Sequence, residues 1–261
     1  MKKRCLIGKA CVGAFAMFSR IPMPQVPWDT ETQAYLLCAF PLVGLVIGGV
    51  DILWLHLMQA FACGPLLTAA GLTLLPLAIT GGVHLDGFCD TVDALACHGS
   101  PEQRRQILKD PHAGAFAIIG AGMYLVAYTA CSSELPKIGT APWLLALSFL
   151  LSRSLSGLVS LAYPQDPGEG LLYGFRTAAK KKPALGILAL WSLLAGGSML
   201  ILAPLQGGLM LLSALLVLVG LFRMARRKFQ GISGDLSGWF LQCVELAMLA
   251  ALIFSEKVGT G

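Results

Sequence analysis

The residues of this chain best suited to chemistry are three carboxylates in one short stretch, Gly81-Gly82-Val83-His84-Leu85-Asp86-Gly87-Phe88-Cys89-Asp90-Thr91-Val92-Asp93. Asp86, Asp90 and Asp93 follow one another at i, i+4 and i+7. On an α-helix those positions fall within about 60° of one another. Carboxylates on one stripe repel each other unless a cation lies between them, so the stretch reads as a divalent-metal site. Ligands that are all oxygen favour Mg²⁺ or Mn²⁺. The plainer alternative is a solvated acidic helix face, and the apolar, glycine-rich flanks argue against it. A zinc set of His84, Cys89 and Cys97 is the other metal reading.

Two further loops carry groups that suit phosphate. Arg104-Arg105-Gln106-Ile107-Leu108-Lys109-Asp110-Pro111-His112-Ala113-Gly114 sets cations beside a carboxylate, with a helix expected from about Ala113. Asp110 would cap that helix, with Pro111 in its first turn. Alternatively, Lys109 and the helix N-terminus hold a phosphate. The second loop places Arg223, Arg226, Arg227 and Lys228 ahead of Gly231-Ile232-Ser233-Gly234-Asp235. Its turn is either an N-cap or an anion-binding turn at Ser233, with Asp235 as a further metal ligand. A divalent metal, several cations and glycine turns suit phosphoryl chemistry. They equally suit prenyl-diphosphate transfer or lipid-alcohol phosphotransfer. The residues alone reach as far as a metal-dependent transferase acting on a diphosphate.

The elements that must position these groups are membrane helices. The chain has 261 residues, 56% hydrophobic and 13% charged, with a mean hydropathy of +0.73. A soluble domain carries about 25% charged residues, so this chain has too few to cover its apolar surface, and the bilayer must be its solvent. The expected fold is all-α: one integral-membrane domain over residues 1–261, a polytopic bundle of about seven transmembrane helices. Seven apolar runs mark the spans: Ala34–Ala62, Pro65–Thr80, Ala113–Cys131, Pro142–Ala162, Ala184–Ala203, Gly208–Ala225 and Leu236–Phe254. The second is short, holds Pro76, and is expected to be tilted or broken. Met1-Lys2-Lys3-Arg4 and the apolar stretch to Phe18 mimic a signal peptide without a convincing cleavage site. They read as a retained segment lying at the membrane interface.

The net charge of +5 does not point to nucleic acid, because the basic residues are grouped at the ends of apolar runs. All nineteen but Lys137, Lys257 and Arg153 fall in the N-terminal segment and in the loops after runs two, four and six. That asymmetry predicts seven spans with the N-terminus and every chemically loaded loop in the cytoplasm. The eight cysteines are scattered, with no Cys-x-x-Cys, and read as reduced thiols. Asp51, Arg153 and Glu245 lie inside runs. Charges there face a cavity or a partner. Arg153 is the candidate for a phosphate contact, and Glu245 is expected to pair with a basic residue. No role is assigned to Asp51.

Residues 81–93 resemble the signature of the cobalamin-5′-phosphate synthases, also called adenosylcobinamide-GDP ribazoletransferases. Three other places are similar to that family, in its order and over nearly the whole chain. They are Phe18-Ser19-Arg20-Ile21-Pro22-Met23-Pro24, Ile107-Leu108-Lys109-Asp110-Pro111-His112-Ala113-Gly114-Ala115-Phe116, and Gly231-Ile232-Ser233-Gly234-Asp235-Leu236-Ser237-Gly238 followed by Glu245. The resemblance implies an enzyme of the bacterial inner membrane, dependent on Mg²⁺, with its site facing the cytoplasm. A hydroxyl of α-ribazole (or its 5′-phosphate) attacks the phosphate on the aminopropanol arm of adenosylcobinamide-GDP, GMP leaves, and adenosylcobalamin or its 5′-phosphate forms. On this chain it implies Asp86, Asp90, Asp93 and Asp235 around the metal. It makes His84 a general base or orienting group. Arg104, Lys109, Asp110, Arg153 and Ser233 would face the phosphates. A homo-oligomer, or contact with other corrinoid-pathway enzymes, is left open.

The chain departs from the family pattern at Ala94, where glycine is common, at Cys89 in place of alanine, and at Pro111-His112 in place of Ser-Arg. Its Tyr163–Phe175 loop matches only near Gly168 and Gly170. The rivals are a CDP-alcohol phosphotransferase, whose Ala-Arg is missing here, a prenyltransferase, for which Asp235 is a weak second motif, and a transporter using Arg153 and Asp51 as coupling charges.

Overall fold

The computed structural model describes residues 2–163, 174 and 177–259. Among these the secondary structure is helical throughout, with no strand. Of the Tyr163–Phe175 loop only Tyr163 and Gly174 are described, so Gly168 and Gly170 lie outside the described residues.

Helix α1 (Lys2–Phe18) stops short of the Pro22, Pro24 and Pro27 cluster, and a short α2 (Thr30–Gln33) follows. The Asp29 carboxylate caps α2 by accepting from Thr32 N at 2.8 Å. The remaining helices are α3 (Leu36–Ala60), α4 (Pro65–Thr80), α5 (Val83–Ala96), α6 (Pro101–Ile107), α7 (Ala115–Ser133), α8 (Ala141–Ala162), α9 (Lys181–Leu202), α10 (Pro204–Met224) and α11 (Gly234–Gly259). A single π-helical turn, Ala225–Phe229, continues α10. Among the described residues six helices are long and apolar enough to cross a membrane, α3, α7, α8, α9, α10 with its π turn, and α11, or seven if the bent pair α4–α5 is one span. The chain is a multi-pass helical membrane protein.

The short second run resolves into α4 and α5, which meet at a 95° bend. Gly81 and Gly82 make the bend with φ of 65° and 77°, a left-handed conformation that costs glycine nothing. Contacts between helix ends show that α4 reaches from one end of the bundle to the other. At one end of the bundle, Arg20 N donates to Ile79 O at 2.7 Å, and Arg105 Nη1 donates to Phe229 O at 2.9 Å. At the other end, Lys137 Nζ donates to Cys63 O, and Lys257 pairs with Glu134 at 2.7 Å. Cys63 precedes α4 and Ile79 lies in its last turn, so α4 runs the height of the bundle. Its 16 residues span about 24 Å, slightly less than a typical hydrocarbon core. After the bend, α5 lies outside the spans, across the end where the basic loops gather.

Three helices form the inside of the bundle. Buried residues make up 78% of the apolar window of α8, 67% of that of α11 and 61% of that of α3, against 22% for each of α7, α9 and α10. The outer three turn leucine and isoleucine side chains to the lipid, as at Ile118, Leu193 and Leu216. Helix α1 rests on the start of α3, with Ala14 buried among Leu36, Leu37 and Leu161.

In a cysteine-free background, single cysteines at positions 62 and 106, before α4 and after α5, should react with a membrane-impermeant maleimide from opposite sides of the membrane. Labelling of both from one side would refute a crossing α4.

Candidate active site

Helix α5 divides its residues between two faces. His84, Phe88, Thr91 and Ala94 are buried against the bundle, Asp86 is exposed, and Asp90 and Asp93 are half-buried. The acidic stripe therefore faces out from the bundle end. Asp235 joins it because α5 and the first turn of α11 touch backbone to backbone. A Cβ on Gly87 would lie 2.9 Å from Asp235 Cα, and one on Gly238 would lie 3.0 Å from His84 O. A side chain at Gly87 would force the two backbones apart, and one at Gly238 would need the α5 backbone to give by a few tenths of an ångström. The approach leaves four carboxylates on one patch. Partial burial, then the charges of Asp86, Asp235 and Asp93, push the Asp90 carboxyl up to about 6.

The four are not equivalent. Asp93 Oδ2 accepts from Gly114 N at 2.6 Å, and its Oδ1 accepts from Ala117 N at 2.9 Å. Asp93 thus caps α7 from another helix, and Gly114 leaves room for it: a Cβ there would come within 2.7 Å of both carboxylate oxygens. Among the described residues, no three His, Cys, Asp or Glu side chains converge on one metal position. The zinc set is not assembled. His84 is on the opposite face from the carboxylates, and Cys97 Sγ accepts from Gly99 N at 3.3 Å.

Several expected roles change once the partners are visible. Asp110 does not cap α7, which begins at Ala115 behind Gly114. Its Oδ1 instead accepts from His112 N at 3.0 Å and meets the His112 ring at 2.8 Å. The α7 N-terminus is not free for a phosphate either, because Asp93 takes two of its donors. Arg104 spends Nε and Nη2 on Cys97 O, at 3.1 and 2.9 Å, closing the C-terminal end of α5. Lys109 is exposed and remains available to solvent anions. Ser233, rather than Asp235, caps α11: its Oγ accepts from Leu236 N at 3.2 Å. This leaves Asp235 without a capping duty.

His84 and Arg153 do not reach the acidic patch. His84 is 7% exposed, with its ring centroid 5.5 Å from that of Phe40 and 6.2 Å from that of Phe18. Burial, then the Arg153 charge, push it down to about 3. It is therefore a neutral ring inside the bundle, away from the position a general base for this patch requires. Arg153 is 1% exposed. It donates to Glu245 Oε1, to Ser152 Oγ at 3.1 Å and to Phe149 O at 3.2 Å. Ser152 Oγ donates to the same Glu245 oxygen at 2.7 Å. A guanidinium locked this way inside a span is neither a phosphate contact nor a mobile coupling charge. His84, Arg153, Glu245, Tyr124, Tyr128 and Gln242 border a cavity of about 10 Å³, the room of one water. Asp51 is buried with neither carboxylate oxygen hydrogen-bonded, and we have no physical account of it.

Sequence reasoning missed Gly87, Gly238 and Arg105. The two glycines carry a signal, since each stands one helical turn or less from an aspartate in a glycine-rich run. Arg105 carries none. It ties α6 to the π turn through Phe229 O at 2.9 Å and Gln230 Oε1 at 3.2 Å, a contact across more than a hundred residues.

The family model described as cobalamin-5-phosphate synthase matches residues 10–253. An adenosylcobinamide-GDP ribazoletransferase of Lachnoclostridium phytofermentans is 38% identical over 251 residues, 95% of each chain. Enzymes of that name from Desulfitobacterium hafniense and Stutzerimonas stutzeri are 31% and 33% identical, over 90% and 89% of this chain and 93% and 91% of theirs. No solved structure matches.

Two stability outcomes follow from this geometry. Asp93→Ala removes a helix cap and should cost about 1 kcal/mol, read as a lower melting temperature, whereas Asp90→Ala should not lower it. Glu245→Gln breaks a buried pair and should cost about 3–5 kcal/mol. The double variant Arg153→Met/Glu245→Leu should recover part of that loss in the same melting assay.

Proposed function

Because this chain belongs to the cobalamin-5-phosphate synthase family, we propose that it is the transferase that joins adenosylcobinamide-GDP to α-ribazole or α-ribazole 5′-phosphate. In this reaction a ribazole hydroxyl oxygen attacks the phosphorus that carries the aminopropanol arm. The bond from that phosphorus to the bridging oxygen of GMP breaks, GMP leaves, and the nucleotide loop of adenosylcobalamin, or of its 5′-phosphate, is closed. The observation that carries this reading is the patch of Asp86, Asp90 and Asp235, assembled by the Gly87 and Gly238 contacts at the basic end of the bundle. We place that end in the cytoplasm of the bacterial cell, under the inner membrane, where the basic loops belong by the charge rule.

The donor set fits Mg²⁺. Mg²⁺ keeps several waters and takes one or two carboxylates plus substrate phosphate oxygens, so a closed three-ligand cage is not needed. Asp86, Asp90 and Asp235 are the residues that would hold it. Asp93 is committed to α7 and acts by fixing the stripe. A divalent ion held by these carboxylates would supply charge neutralisation to the diphosphate and the leaving group. The protein itself contributes orientation. His84 wedges the inner face of α5 against Phe18 and Phe40, and Arg104 and Arg105 hold the two ends of the α5–α6 layer. Lys109, exposed at the rim, supplies a cation to incoming phosphates. A carboxylate of the outer face, rather than His84, is placed to accept the proton of the attacking hydroxyl.

Purified protein with Mg²⁺, adenosylcobinamide-GDP and α-ribazole should release GMP and form a corrinoid with its lower ligand. Absence of both products from well-folded protein would refute the assignment. Asp90→Ala should lower turnover by about a thousandfold or more without loss of helix content. Proton competition gives a further outcome. Below about pH 6, Asp90 carries a proton that the cation must displace. Mg²⁺ affinity, measured by calorimetry, should therefore weaken about tenfold per unit as pH falls below 6 and stay level above it. Asp90→Asn should flatten that profile.

A further inference from the structure

The segment between α1 and α2 holds a cation that no reading so far has used. Arg20 is fixed at three points. Its backbone N–H donates to Ile79 O at 2.7 Å. Its neighbours are locked, with Ser19 Oγ donating to Phe15 O at 2.6 Å and accepting from Ile21 N at 3.3 Å. Its side chain lies across Gly81, where a Cβ would stand 2.5 Å from both Cγ and Nε of Arg20. Just before it, the Phe18 ring packs 4.2 Å from Phe40, beside His84. The structure thus goes to some length to hold one arginine over the bend where α5 begins.

Arg20 is an exposed residue, and its guanidinium makes no ion pair or hydrogen bond to the described residues. Asp86 stands in the first turn of α5, with its N–H bonded to Gly82 O at 2.8 Å. The cation at Gly81 and the carboxylate at Asp86 therefore flank the same turn without pairing. A cation held over the bend and an exposed carboxylate in the next turn, with no ion pair between them, suit a group that bonds one directly and the other through a metal ion. A phosphate or diphosphate does both. The planar guanidinium fork binds two of its oxygens at once, which an ammonium does not. Its stem is already ordered, so little rotamer freedom is lost on binding.

We propose that Arg20 is the phosphate-binding residue at the α4–α5 bend, gripping the diphosphate of the nucleotide-linked substrate on the edge of the site away from Asp235. This rests on the function proposed above for the identity of the substrate, but the chemistry recognised, a metal-bound diphosphate, is tested without turnover. The probe is inorganic pyrophosphate with Mg²⁺, titrated by calorimetry into the full-length protein in nanodiscs of phosphatidylcholine and, separately, of phosphatidylglycerol.

In both lipids, Arg20→Gln should weaken pyrophosphate binding by about tenfold to a hundredfold. Arg20→Lys keeps the charge and the stem over Gly81, and should lie between the two. In the transfer assay, Arg20→Gln should raise KM for adenosylcobinamide-GDP by a similar factor and leave KM for α-ribazole within about twofold. Unchanged pyrophosphate affinity, or an equal rise in both KM values, would overturn the proposal in favour of a packing role. A loss confined to phosphatidylglycerol would overturn it in favour of a lipid headgroup contact. If wild-type protein binds pyrophosphate through Arg20 but releases no GMP, the assigned reaction fails while the anion site stands.

Discussion

Everything in the site depends on two helix backbones touching. Three of the carboxylates share α5, but Asp235 reaches them only if α11 comes close, and side chains at the contact would hold α5 and α11 apart. Gly87 and Gly238 remove those side chains. The cost appears on the half-buried Asp90: burial first, then the charges of Asp86, Asp235 and Asp93, push its carboxyl up to about 6.

The support beneath that contact is of two kinds. Outside the spans, polar groups act as ties between segments distant in sequence: Asp93 on α7, Arg104 on the end of α5, Arg105 on the π turn. Each meets backbone groups at an element end, where donors or acceptors would otherwise be left open. Inside the spans, the one ion pair among the described residues, Arg153 with Glu245, is locked by Ser152 and lies between Phe40 and Phe149, its guanidinium 6.0 and 5.6 Å from their ring centroids. A charge pair that cannot reach water is stabilised by such a shell and, once formed, holds α8 to α11. The aromatic contact of Phe18 and Phe40 with His84 then links α1 and α3 to the inner face of α5.

Reading charge types from sequence worked best where the group had nothing nearby to satisfy. The stripe of Asp86, Asp90 and Asp93 was legible because helical periodicity alone puts the three together. Glu245 was expected to find a basic partner, because an unpaired charge in a span is too costly. The same reasoning went astray at Asp110, Arg104 and His84. Each is a residue type that binds phosphate or moves protons in many sites. Here each finds a protein partner or a buried face instead, His112 for Asp110, Cys97 O for Arg104 and the Phe18–Phe40 pair for His84. Local sequence does not say which backbone carbonyl or ring will arrive from elsewhere.

By itself, the sequence determined the lipid solvent, an all-helical multi-pass fold, the order of its apolar runs, and the placing of Asp86, Asp90 and Asp93 on one helical stripe. Those follow from composition, run length and a period of 3.6, which are properties of single segments. Only the tertiary structure decided that Asp235 joins the stripe while Asp93 caps α7, and that the partner of Arg153 is Glu245. It also decided that Arg20 stands over the bend before α5. Each of these is a choice of partner between segments far apart in the chain. Close packing makes that choice: which side chains are missing at a helix crossing, and which unsatisfied backbone groups lie within reach.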